Sequence, residues 1–165
     1  MRTQFYNMDR AASDLKQVLL VEDSEDDAFF FERTLEKIEL PCCLAHAIHG
    51  GEAIDYLQVA RNTESPERMM PDVIFLDLKM PVLNGFEVLK WIGEQHFRPA
   101  LHVAILSGSD QQSDIQMARE LGATDYLVKP ISVQDLAKRL LALPKRHLAF
   151  VREADDARVL NGAPS

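Results

Sequence analysis

The 165-residue chain is short of several things that would direct a first reading. It has only two cysteines, Cys42 and Cys43, adjacent to each other after Pro41. Sequence neighbours rarely bridge, and without a second pair there is no disulfide framework. Two small reduced side chains in or near a strand are expected instead, which fits a cytoplasmic protein. No apolar run approaches the ~20 residues of a membrane helix. The opening MRTQFYNMDRAASD lacks the apolar stretch of a signal peptide. Positive charge is in deficit, with 18 Lys and Arg against 26 Asp and Glu and a net charge of -8. A nucleic-acid partner needs clustered Lys and Arg, so direct nucleic-acid binding is not expected. The acidic balance suits cations or a basic protein surface. Internal repeats, low-complexity tracts and a nucleotide-type phosphate loop are also missing.

What remains is an ordinary globular composition, 47% hydrophobic and 27% charged, in a chain long enough for one sizeable core. Residues 1–15 are polar and mixed and are expected to be a flexible segment. Short apolar runs then alternate with amphipathic stretches over 16–144. Strands are expected at Gln17–Val21, Cys42–Ala47, Val73–Asp77, His102–Leu106 and Asp125–Val128. Helices are expected over Asp26–Glu39, Gly51–Val59, Glu87–Gln95, Asp114–Leu121 and Val133–Leu143, the fourth stopped by Gly122 and the fifth by Pro144. The strands are continuous apolar runs, the mark of a parallel sheet covered on both faces. Right-handed crossovers then favour an α/β fold, a doubly wound five-stranded parallel sheet with helices on both faces. Residues 145–165 are too few for a second domain.

Asp77 stands in VIFLDLKMP, where an uncompensated charge is costly to bury. Ligands of open parallel sheets bind outside the carboxyl ends of the strands. Glu22 and Asp23 follow the first strand, Asp77 the third, Ser107 the fourth and Lys129 the fifth. Three carboxylates this close need a counter-charge. A hard divalent cation with oxygen ligands supplies one, and Mg²⁺ suits a few carboxylates plus waters. A carboxylate beside Mg²⁺ and a lysine is poised to accept a phosphoryl group. Ser107 and Lys129 can each donate to a phosphoryl oxygen. Glu25, Asp26 and Asp27 read as an acidic helix start, favoured by the helix dipole. His46 and His49 have no matching cysteine or third histidine, so no metal site of their own is expected.

Together, VEDS at 21–24, LDLKMPVLNG at 76–85, LSGS at 106–109 and YLVKP at 126–130 resemble the receiver domain of two-component response regulators. The resemblance covers about Gln17 to Leu143. It implies a flavodoxin-like strand order, 2-1-3-4-5. It implies that Asp77 is the phosphoacceptor, that Asp23 binds Mg²⁺ directly and that Glu22 acts through a metal-bound water. The backbone carbonyl of Lys79 would complete the protein ligands. Ser107 and Tyr126 would be the switch pair, and Lys129 would meet the phosphoryl group, aimed by a cis Lys129–Pro130 bond. A sensor histidine kinase would be the donor. The surface of the fourth helix, fifth strand and fifth helix would change for a downstream protein or phosphotransfer partner.

Such a domain catalyses only its own phosphorylation and autodephosphorylation, and is not an enzyme on a free substrate. Lys79 and Ser109 are expected to set the lifetime of the phosphorylated state. The long 61–72 connection and the HAIHGGEAIDYL stretch resemble single-domain regulators paired with bacterial phytochrome kinases. The 61–72 connection is equally readable as a tolerated insertion. The tail carries an apolar patch, Leu148–Val151, read as an arm for a homodimer. Two other functions stand against the switch. One is a receiver-fold binding scaffold without phosphorylation, which would lack an acid, the acceptor or the lysine. The other is a Mg²⁺ phosphohydrolase with an aspartyl nucleophile, which needs a second aspartate where Lys79 stands.

Overall fold

The computed structural model describes residues 1–7, 15–62, 69–97 and 101–144. The elements run β1 (Arg2–Tyr6), β2 (Lys16–Val21), α1 (Glu25–Glu36), β3 (Cys42–Ala47), α2 (Gly50–Ala60) and β4 (Val73–Leu76). They continue with α3 (Gly85–Glu94), β5 (His102–Ser107), α4 (Gln112–Glu120), β6 (Asp125–Val128) and α5 (Val133–Ala142). One sheet holds all the strands in the order β1-β3-β2-β4-β5-β6. From β3 to β6 every pairing is parallel, as the apolar runs predict.

Two expectations need correction. The sheet has six strands among the described residues rather than five, and the N-terminal segment is not flexible throughout. Arg2–Tyr6 pairs antiparallel with β3, from Arg2 opposite His46 to Tyr6 opposite Cys42. The physical reason is that an edge strand needs a backbone ladder but not two buried faces. Its residues are exposed or half-buried, and Phe5 stays 48% exposed. No continuous apolar run therefore marks it in the sequence. An Arg2–Glu32 ion pair and an Asn7 side-chain bond to the Ile38 carbonyl at 2.6 Å fasten it beside α1.

The central strands explain the apolar runs. In β2, Leu19 and Val21 face one core while Val18 and Leu20 face the other. The first core receives Tyr56 and Leu57 of α2, Val88, Leu89 and Ile92 of α3 and Ala118 of α4. The second receives Ala28, Phe31 and Leu35 of α1 with Leu136 and Leu140 of α5. Four helices start with a side-chain cap: Ser24, His49, Asn84 and Ser132 each accept from the backbone N–H three residues on. Asn84 and Glu87 form a reciprocal capping box. Helix α4 ends as expected at Gly122, whose φ of +98° favours glycine.

Two contacts fix where β4 delivers its last residue. The Asp77 N–H donates to the Val21 carbonyl at 2.9 Å, which extends the β2–β4 ladder one step past the strand. Helix α3 then starts very close to that point. A Cβ on Gly85 would lie 2.2 Å from the Asp77 carbonyl oxygen and 2.8 Å from Leu78 Cα. Only glycine admits this approach. Residues 145–165, including the tail read as a dimer arm, and 63–68 of the long connection lie outside the described residues. Among the described residues, no helix is long and apolar enough to cross a membrane.

Candidate phosphoacceptor site at the carboxyl edge of the sheet

The parallel strands bring Glu22, Asp23 and Asp77 to one point. One carboxylate oxygen from each lies within 4.8 Å of the others. Glu22 and Asp77 are 2% and 4% exposed, while Asp23 is open to solvent. Two buried acids and one exposed acid form an all-oxygen donor set with an open side. That set fits Mg²⁺, which keeps waters in its shell.

Lys129 provides the positive charge. Its Nζ donates to Glu22 Oε2 at 2.6 Å and Asp27 Oδ2 at 2.7 Å, and lies 3.2 Å from Asp77 Oδ1. Burial alone would lower the pKa of this ammonium. Hydrogen bonds to Asp27 and Glu22 and the charge of Asp77 outweigh that effect, and Lys129 titrates above the ordinary lysine range. Burial pushes the Glu22 carboxyl up, with Lys129 and the Ser24 N–H opposing it. The lysine is aimed by its backbone: its N–H donates to the Ser107 carbonyl at 2.8 Å, and the Lys129–Pro130 bond is cis, as the resemblance implies.

Asp77 keeps one oxygen toward Lys129 while the other accepts the Lys79 N–H at 2.9 Å. The Lys79 side chain is exposed. Ser107 is fully buried at the end of β5, and its hydroxyl accepts the Ser109 N–H at 3.1 Å. Ser109 is also buried, its hydroxyl donating to Asp114 at 2.7 Å. The Tyr126 hydroxyl donates to the Ser109 carbonyl at 2.8 Å, so the two residues read as a switch pair meet through the β5–α4 loop. The histidines are otherwise engaged. His46 Nε2 sits 2.9 Å from the Glu22 carbonyl, and His49 Nδ1 caps α2.

Asp27 is the residue that reading for helix chemistry undervalues. It does lie in the acidic first turn of α1, but its carboxylate holds Lys129. A signal exists in the sequence. Side chains on a helix tilt toward its N-terminus, so an acid one turn into a helix reaches back over the strand end that precedes it.

Comparison with known proteins places the chain. Residues 18–141 match the response regulator receiver domain, and the chain belongs to that family. A probable methanogenesis regulatory protein of Methanothrix harundinacea is 30% identical over 140 residues, 85% of this chain and 88% of its own. Among solved structures, the bacteriophytochrome response regulator AtBRR is 31% identical with a TM-score of 0.67, covering 82% of this chain and 98% of its own. The bacteriophytochrome response regulator RtBRR is 33% identical with a TM-score of 0.66, covering 82% of each chain. The resemblance to phytochrome-paired regulators thus extends to the fold. Receiver domains are in general signalling proteins that bind Mg²⁺ through an acidic pocket, and this chain carries such a cluster.

Proposed function

We propose that this chain is a phosphorylation-driven switch in which Asp77 accepts a phosphoryl group from a sensor histidine kinase in the presence of Mg²⁺. The observation that carries the reading is a buried carboxylate, Asp77, set between two further acids and the Lys129 ammonium 3.2 Å away. An Asp77 oxygen attacks phosphorus, the bond from phosphorus to the donor breaks, and the donor leaves with that electron pair. Asp23 and Glu22 would hold the metal with Asp77, assisted by the Lys79 carbonyl, and the metal when bound neutralises the phosphoryl oxygens. Lys129 donates to one of those oxygens and the Ser107 hydroxyl to another. Ser107 and Tyr126 then carry the change to the surface of α4, β6 and α5, where a downstream protein or phosphotransfer partner binds. The likeness to bacteriophytochrome regulators supports a kinase of that type as donor. The cytoplasm is the compartment that such a kinase and two buried cysteines outside any disulfide suit.

The test is intact-protein mass after incubation with acetyl phosphate and Mg²⁺, beside a chelator-treated sample and an Asp77→Asn variant. One added phosphoryl group that requires both the metal and Asp77 is expected. An adduct that survives in Asp77→Asn would move the acceptor elsewhere, and no adduct in any sample would favour a binding scaffold.

A further inference from the structure

An ammonium group has three N–H donors. At Lys129 all three have a carboxylate within reach, and the two short contacts go to Glu22 and Asp27, the longest to Asp77. A phosphoryl group on Asp77 adds oxygens that also call on Lys129, and a doubly charged phosphoryl group is a strong acceptor for it. One of the present contacts then has to loosen. Glu22 is buried and belongs to the acid trio, so it has nowhere to go. The Asp27 side chain is 43% exposed on the first turn of α1 and can rotate into water.

Resting on the phosphoacceptor reading above, we infer that Asp27 is a positioning residue that competes with the phosphoryl group for Lys129 and so sets how readily the site loads and how long it stays loaded. Its charge also adds a third carboxylate around one ammonium, which disfavours an incoming phosphate donor. Neighbouring Asp26 has the same charge but is exposed on the helix, so it separates general charge from direct contact. Loss of the Asp27 charge also affects the helix start, because it is one of the acids in the first turn of α1, where negative charge favours the helix dipole. That structural role would lower stability but leave loading unchanged.

The experiment measures two quantities by intact mass with Mg²⁺: the acetyl phosphate concentration giving half-maximal adduct, and the decay rate once the donor is removed. A half-exposed ion pair corresponds to a few-fold effect. Asp27→Asn is expected to half-load at about three-fold lower donor and to decay about three-fold more slowly. Asp27→Glu, which keeps the charge within reach of Lys129, should return both values toward wild type, and Asp26→Asn should match wild type. Asp27→Asn behaving like wild type, loading less readily, or being matched by Asp26→Asn would overturn the inference while leaving the phosphoacceptor reading intact. A folded wild-type chain that never loads would overturn both. A urea-unfolding cycle of Asp27→Asn and Lys129→Ala reads the contact itself, and zero coupling there would remove the basis of the competition.

Discussion

The Tyr126 hydroxyl donates a 2.8 Å hydrogen bond to the Ser109 carbonyl, tying β6 to the loop that follows β5. Burial raises the phenol above its usual range, with the nearby Ser107 and Ser109 side chains opposing the shift. Removing the hydroxyl leaves the ring in place and the carbonyl short of a donor. Tyr126→Phe is expected to cost about 1 kcal/mol in urea unfolding, the net worth of one such bond. A loss above roughly twice that value would mean the ring had moved as well.

Mg²⁺ should stabilise the folded chain, because its three carboxylates converge only in the native sheet. Ligand binding to the folded state alone adds about 2.7 kcal/mol at one hundred times Kd. The melting temperature is therefore expected to rise with Mg²⁺ concentration. Asp23→Asn, at the exposed member of the trio, should move that dependence to higher metal. A variant curve that overlays wild type would take Asp23 out of the ligand set.

Gly85→Ala probes how closely α3 crowds the acceptor strand. The added methyl meets backbone atoms of Asp77 and Leu78, which cannot turn aside as a side chain could. A destabilisation of about 3 kcal/mol is expected, the upper range for an overpacked site. Because the strain falls on Asp77 itself, the Mg²⁺-induced rise in melting temperature should shrink too. A stable variant with unchanged metal response would show that the loop yields freely.

Much of this site is legible in the amino-acid sequence. The parallel sheet follows from VLLV, VIFL and VAIL, because only strands covered on both faces need unbroken apolar runs. Glu22, Asp23, Asp77, Ser107 and Lys129 follow in turn, because a parallel sheet delivers every strand end to the same edge. The parts that resisted are those that do not depend on burial. Arg2–Tyr6 gains its place from a ladder with β3, and backbone hydrogen bonds leave no trace in residue type. Asp27 has two roles, helix-start acid and Lys129 partner, and the commoner one hides the other.

Tyr6 gives the added edge strand a signature in pH. Burial, helped by the charges of Glu32 and Glu36, raises its phenol to about 12. An unfolded tyrosine titrates near 10. Between these values the folded chain keeps a proton that the unfolded chain releases, so this group's stabilisation is full below pH ~10 and falls as pH rises toward ~12. Tyr6→Phe should lose less stability over that interval than wild type in urea unfolding at stepped pH. Parallel curves would mean that Tyr6 is as free in the folded chain as in the unfolded one.

Lys79 and Ser109, both expected from the sequence to govern phosphoryl lifetime, differ sharply in what they can be asked. Lys79 is exposed two residues past Asp77, and its contact with that residue is through its backbone N–H. Its side chain can change with little disturbance. Ser109 is buried, bonded to Asp114 and joined to Tyr126 through its carbonyl. Glutamate there would bury a second carboxylate against Asp114, so a changed lifetime would report damage as readily as chemistry. The informative pair is Lys79→Asn with Ser109→Ala. If the Lys79 side chain steers the water that attacks the phosphoryl group, Lys79→Asn should alter the decay rate by about three-fold or more while leaving urea stability within ~0.5 kcal/mol. Ser109→Ala should cost about 1 kcal/mol for the lost Asp114 bond. An unchanged decay rate in Lys79→Asn would shift control of lifetime to the residues that grip Lys129.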